Sequence, residues 1–250
     1  MNVSLGSPTL ILVPTELELR RLTDAGGFDV GLGTVAACGF GPVAAAARTA
    51  ELLALLRPAR VLLLGICGTF DEDSLPVGEA TCFATVAIEG VGVGEGDRLI
   101  APPALGFPQW PGSPASGARP ARDPIHDELA LSRPARMTPA GSARERASLL
   151  LSTCAASDSP EHAAARRRRH PRALAEDMEG FSVALACALR ATPLCIVRGA
   201  SNVVGDRDAA HWRIPRALEA ARRLALDVLR SNDAWAPPAP ADTANAVSAP

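Results

Sequence analysis

One run limits the possible architectures more than any other: Arg60-Val61-Leu62-Leu63-Leu64-Gly65, apolar after its first residue and without alternation. Such a run marks a strand covered on both faces, which requires helices on either side of a largely parallel sheet. Thr9-Leu10-Ile11-Leu12-Val13 repeats the signature and stops at Pro14. Thr15-Glu16-Leu17-Glu18-Leu19 then supplies a cap, two first-turn acids and the start of helical spacing. Gly31 to Cys38 reads as a second strand, and Gly41-Pro42 opens an Ala- and Leu-rich helix running to about Leu56 before Pro58. Further strands are predicted over Ala80 to Ile88, Ser148 to Ser152 and Pro193 to Val197, and helices over Pro160 to His170, Phe181 to Leu189 and Ile214 to Leu229. Strand and helix alternate from end to end, which predicts an α/β fold, a three-layer αβα sandwich with a mixed, largely parallel central sheet.

The apolar segments spread evenly up to about Leu229, so residues 1–230 read as one domain around one core. From about Ser231 the Ala, Pro, Ser and Asp composition cannot bury a core, and 231–250 reads as a disordered tail. Gly90 to Pro120 is rich in Gly and Pro, and the wider segment 108–147 reads as a flexible, Pro-, Gly- and Arg-rich insertion. Gly92-x-Gly94-x-Gly96 lacks the GxGxxG spacing and has no helical pattern after it, so it is a loop rather than a nucleotide fingerprint.

The formal net charge of −2 gives no bulk electrostatic reason for binding nucleic acid or an anionic membrane. All 25 basic residues are Arg and there is no Tyr, which excludes a Walker lysine, a Schiff-base lysine and a tyrosine general acid. Arg166 to Arg169 read as a solvated helix face. The six cysteines form no CxxC pair and sit mostly in apolar runs, so they are read as buried thiols, with neither a disulfide framework nor a metal site. With no basic n-region and no long apolar span, a cytoplasmic location is expected.

Three polar residues fall at the carboxyl ends of predicted strands, where open α/β sheets build pockets: Glu18, Glu179 in Ala175-Glu176-Asp177-Met178-Glu179-Gly180, and Asn202 in Val197-Arg198-Gly199-Ala200-Ser201-Asn202. Gly65-Ile66-Cys67-Gly68-Thr69 reads as a glycine-bearing turn that lets a ligand approach the backbone. Taken singly, Glu18 is equally an acid complementing a helix dipole, and Asn202 an ordinary turn residue.

Set side by side, these segments resemble the nucleoside phosphorylase and nucleosidase superfamily, in the branch that holds methylthioadenosine/adenosylhomocysteine nucleosidases and futalosine hydrolases. Leu64-Gly65-Ile66-Cys67-Gly68-Thr69-Phe70 and Leu75-Pro76-Val77-Gly78-Glu79 are similar to the same family. Ser201-Asn202-Val203-Val204-Gly205-Asp206-Arg207-Asp208, Trp212 and Ile214-Pro215 look most like the futalosine hydrolases. The resemblance implies a nucleoside phosphorylase-like fold and hydrolysis of a nucleoside without metal or other cofactor. It implies Glu18 as the water-activating carboxylate, Glu179 as acceptor for the ribose hydroxyls and Met178 as the packing surface for the sugar. Asn202 would meet the leaving base, donating to O6 of a 6-oxopurine while accepting from N7–H; Gly68 and Ser201 would complete the substrate site, and Arg198 either joins them or pairs with a nearby carboxylate. Hypoxanthine release from futalosine, on a route to menaquinone, is the implied activity. The alternatives are a methylthioadenosine/adenosylhomocysteine nucleosidase, a purine nucleoside phosphorylase and a nucleoside-binding protein without turnover. The family also implies a homo-oligomer whose partner is a small nucleoside, with neither nucleic acid nor membrane involved. Phe181 is bulky where the family commonly has a small residue.

Overall fold

Leu62 and Leu64 face one side of the central sheet and Val61 and Leu63 the other, each set packed in its own apolar core. Leu10 and Leu12 against Ile11 and Val13 divide in the same way, so a strand with period-two side chains feeds both layers of core. The computed structural model describes residues 9–28, 31–116, 122–134, 148–231 and 235–236. In chain order its strands are β1 (Thr9–Val13), β2 (Thr34–Ala37), β3 (Arg60–Thr69), β4 (Ala80–Cys82), β5 (Thr85–Glu89), β6 (Glu128–Ala130), β7 (Arg133–Pro134), β8 (Leu149–Thr153), β9 (Ala173–Asp177), β10 (Leu194–Val203) and β11 (Trp235–Ala236). The helices are α1 (Glu16–Asp24), α2 (Gly41–Leu56), α3 (Pro102–Leu105), α4 (Pro160–Arg169), α5 (Gly180–Ala188) and α6 (Ile214–Arg230).

Nine of these strands form one mixed sheet flanked by helices, as the alternating pattern predicts. β2, β1, β3 and β10 make one parallel block, and β9, β8 and β5 a second. The blocks join antiparallel, through Gly68 opposite Glu176 and Thr69 opposite Ala175. Both pairs lie near the carboxyl ends of their strands, so two sets of strand ends converge on one junction, where open α/β sheets place their ligands. Helices α2 and α5 cover one face, with Leu52 and Leu53 packed among Phe181, Val183 and Ala184. Helices α1 and α6 cover the other, with Leu22 against Leu218, Ala221 and Ala225. Phe181 spends its bulk in this core, away from the junction.

Besides a second strand that runs Thr34–Ala37 rather than Gly31 to Cys38, three readings change more substantially. Gly65 to Thr69 is the second half of β3 rather than a turn, because β10 pairs with it as far as Val203 opposite Thr69. The predicted strand Pro193 to Val197 likewise extends to Val203, with a bulge between Ala200 and Asn202. Ala80 to Ile88 is two strands, since β4 pairs with β10 and β5 with β8. Arg166 is buried rather than solvated, as its pairing with Glu176 explains below.

Within the segment 108–147, residues 117–121 and 135–147 lie outside the described residues; β6 joins the sheet edge beside β5. Of the tail, Trp235–Ala236 pairs with β7 and the Trp235 ring lies 4.5 Å from the Arg60 guanidinium, while 232–234 and 237–250 lie outside the described residues. No described helix is long and apolar enough to cross a membrane.

Candidate active site

At the junction of the two parallel blocks lies a cavity of about 310 Å³, within the range of small-molecule sites. Its wall comes from strand ends: Pro14 and Thr15 after β1, Ile66 to Gly68 in β3, Ala156 and Ser157 after β8, Asp177 to Glu179 at the end of β9, and Ser201 and Asn202 in β10. Glu18, Gly68, Met178, Glu179, Ser201 and Asn202 therefore line one cavity although they span most of the chain. Arg198 is not in the wall; it stands directly behind it.

Glu18 occupies the third turn position of α1 and closes a capping box with Thr15. Its Oε2 accepts from the Thr15 amide at 3.1 Å and the Thr15 hydroxyl at 2.6 Å, while Oε1 accepts from the Ile66 amide at 3.0 Å. The residue is 4% exposed. A helix cap and a sheet amide thus fix both oxygens of a buried carboxylate, and Oε1, which accepts a single bond, keeps acceptor capacity for a ligand.

Glu179 is the N-cap residue of α5 and also reaches the first turn of α2, where its Oε1 accepts from the Gly41 amide at 2.9 Å. Gly41 has φ of +77°, a conformation glycine adopts without strain, and this aims its N–H at the carboxylate. Arg198 is fully buried and donates to Asp177 Oδ2 from Nε at 3.1 Å and from Nη2 at 2.5 Å; Nη2 lies 3.4 Å from Glu179 Oε2. Asp177 is satisfied in turn by the Ser152 hydroxyl at 2.6 Å and the Gly180 amide at 2.9 Å. A buried guanidinium is tolerable only with such pairing. Burial pushes the Glu179 carboxyl up to about 7, the charges of Asp177 and Glu18 push the same way, and Arg198 and the Gly41 amide oppose them. Three carboxylates around one guanidinium give the cavity floor a net negative field.

At the other side, the Ser201 hydroxyl lies 2.8 Å from Asn202 Oδ1 and 3.1 Å from the Cys67 carbonyl. Asn202 Nδ2 donates to the Val203 carbonyl at 2.8 Å and approaches the Asp206 carbonyl at 3.5 Å. Two carbonyls on one side and a hydroxyl on the other orient the amide, leaving the remaining acceptor capacity of Oδ1 for a ligand. The bulge between Ala200 and Asn202 is what lets consecutive Ser201 and Asn202 both line the cavity.

Gly65 makes this arrangement possible. A Cβ there would lie 2.2 Å from Arg198 Nη1 and 2.7 Å from Glu18 Oε1. Gly65→Ala is therefore expected to displace both charged groups, lowering turnover at least ~100-fold and stability by about 2 kcal/mol; steady-state kinetics beside thermal unfolding check it, and near-wild-type turnover would contradict the placement.

Sequence reasoning missed Asp177, Glu176 and Ser157. A lone Arg in the apolar strand Cys195 to Gly199 points to a buried carboxylate partner, one of the two readings open for Arg198, but does not say that the partner is Asp177. Glu176 accepts from the Ser157 amide and hydroxyl, both at 2.7 Å, and from Arg166 Nη1 at 2.9 Å. Arg166 thereby ties α4 to the loop that carries Ala156 and Ser157 along the cavity wall. Nothing in the Arg166 to Arg169 run distinguishes its first member, since its burial depends on where α4 docks. Among the described residues no group of three or more His, Cys, Asp and Glu side chains is arranged to hold a metal ion.

Residues 30–230 match the family described as the phosphorylase superfamily. A futalosine hydrolase of Streptomyces coelicolor is 32% identical over 226 residues, covering 88% of this chain and 86% of the relative. A solved futalosine hydrolase of Helicobacter pylori superposes with a TM-score of 0.65 at 18% identity, over 90% of this chain and 97% of that one. A methylthioadenosine/adenosylhomocysteine nucleosidase of Colwellia psychrerythraea, solved with adenine, gives 0.65 at 21% identity over 89% and 95%. At such identities the two structures speak for the fold alone.

Proposed function

Since the chain belongs to the phosphorylase superfamily, we propose that it is an N-ribosyl hydrolase that cleaves futalosine to hypoxanthine and dehypoxanthinyl futalosine, the futalosine step of menaquinone biosynthesis. The near full-length likeness to the Streptomyces coelicolor futalosine hydrolase is the observation that carries the substrate. The cavity supports the reaction. Glu18, held by the Thr15 cap and the Ile66 amide, takes a proton from the attacking water as that water bonds to C1′ of the ribose. Glu179 accepts from the ribose hydroxyls and Met178 packs against the sugar. As the N-glycosidic bond breaks, its electron pair leaves on the base and positive charge develops on the ring, where the negative floor stabilises it.

Asn202 has no acidic proton to give. Its Oδ1 accepts from N7–H of the departing purine once N7 has taken a proton from solvent. The donation to O6 expected from the sequence falls to the second Nδ2 hydrogen, which has only the Asp206 carbonyl at 3.5 Å, while the first is held by the Val203 carbonyl at 2.8 Å. Arg198 acts behind the site, holding Asp177 and Glu179 rather than touching the nucleoside. Exposed Leu17 and Phe40 at the cavity mouth, with exposed Val43 one turn along α2, support a homo-oligomer that covers them.

The purified protein incubated with futalosine, inosine, methylthioadenosine and adenosylhomocysteine, with and without phosphate, tests the reading. Hypoxanthine release from futalosine, indifferent to phosphate, is expected. Adenine release with no action on futalosine would make the chain an adenosine-type nucleosidase, and strict phosphate dependence would make it a phosphorylase.

A further inference from the structure

The polar groups of the cavity are graded by depth. Glu18, Glu179, Ser201 and Asn202 are at most 8% exposed, whereas Phe40, Leu17 and Arg207 are open to solvent. Sugar diol and base edge are therefore bound at the floor, and whatever extends from the 5′ carbon reaches the mouth. Among the described residues lining the cavity, Arg207 is the one cation, against the acids Glu18, Glu176, Asp177 and Glu179.

Arg207 is also held ready. Its guanidinium lies 5.0 Å from the centroid of the Trp212 ring, an aromatic platform that positions a cation without neutralising it. The Trp212 indole N–H is fixed by the Asp206 carbonyl at 3.1 Å. The carboxylates flanking Arg207 in the chain are turned elsewhere: Asp206 pairs with His211 at 2.8 Å, and Asp208 accepts from the Ala210 amide at 2.9 Å. Arg207 thus keeps its donors for a ligand, in the same loop whose Asp206 carbonyl faces Asn202.

Resting on the reading of the site as a nucleoside hydrolase, we propose that Arg207, stacked on Trp212, is a specificity-determining residue that pairs with a carboxylate on the 5′ substituent of the substrate. The acidic floor repels an anion and the rim attracts it, so the same charge separation fixes which end of the nucleoside enters first. Futalosine, whose 5′ substituent ends in an aryl carboxylate, supplies such an anion, while inosine and methylthioadenosine do not. A planar guanidinium suits a carboxylate through paired N–H donors, which an ammonium does not reproduce.

The test compares futalosine with its methyl ester in the wild type, Arg207→Gln and Arg207→Lys. The wild type is expected to favour the acid over the ester by ~10-fold or more in kcat/KM, mostly through KM. Arg207→Gln is expected to remove that preference and Arg207→Lys to restore part of it. If the wild type releases hypoxanthine from futalosine but Arg207→Gln keeps the acid-over-ester ratio, the inference falls and the functional reading stands. If the wild type releases no base from futalosine at all, both fall together.

Discussion

Glu18→Gln is expected to leave binding of the nucleoside within a few-fold of wild type and to cut base release by ~1,000-fold or more, the scale of a lost general base. The substitution separates chemistry from folding because Gln at the third helical position can still serve a capping box. Three N–H or O–H groups now converge on the two carboxylate oxygens, from Thr15 and Ile66. One of those positions becomes an NH2 in the variant, so a donor faces a donor at a cost of about 1 kcal/mol. A thermal-unfolding measurement gives that loss independently. Single-turnover release of hypoxanthine with the folded variant gives the chemical one. Turnover within tenfold of wild type would mean that water is activated elsewhere and that Glu18 is only the cap its position in α1 suggests. A loss of both affinity and turnover would point to a site that has collapsed.

The residues of the floor were legible in the chain to different degrees, for physical reasons. Unalternating strands such as Leu62 to Leu64 announce a doubly covered sheet, because burial on both faces leaves no room for polar residues. Helix starts at Thr15 and Gly41-Pro42 were equally open to reading, since caps and prolines act locally. Strand ends were not. Gly65 to Thr69 looks like a turn because glycines usually break strands, yet here two of them let Arg198, Glu18 and Val204 come close to β3. Asp177 does not stand out in the sequence beside Glu176 and Glu179. Which of three neighbouring acids faces a buried Arg depends on the register of β9 against β8 and β3, a non-local quantity. The resemblance brought Glu18, Glu179 and Asn202 together as a set, and the topology explains why they can meet: two parallel blocks end at the same place.

Glu179→Gln is expected to trade activity for stability, with a sign that depends on pH. The folded-state pKa of Glu179 is raised to about 7 from an ordinary value of 4.5. The folded protein therefore holds a proton that the unfolded chain has lost between those two values, and wild-type stability falls as pH rises through that window. Gln carries no such proton. Relative to wild type, the variant should gain about 2 to 3 kcal/mol between pH 5 and pH 8, visible as a Tm difference that moves in its favour on going alkaline. Part of the absolute gain is offset because a Gln amide facing Arg198 Nη2 is a poorer partner than a carboxylate. Activity runs the other way. Only the ionised carboxylate accepts freely from two ribose hydroxyls while still accepting from the Gly41 amide. Wild-type kcat/KM should thus rise with pH through about 7 and level off. The variant should lie ~100-fold or more lower, as expected when hydrogen bonds to a charged group are lost, and should lack that rise. A wild-type profile flat across this range, or a Tm difference that does not change with pH, would show that the carboxyl titrates near its ordinary value. The stored cost of burying it would then not be the source of the site's affinity for a diol.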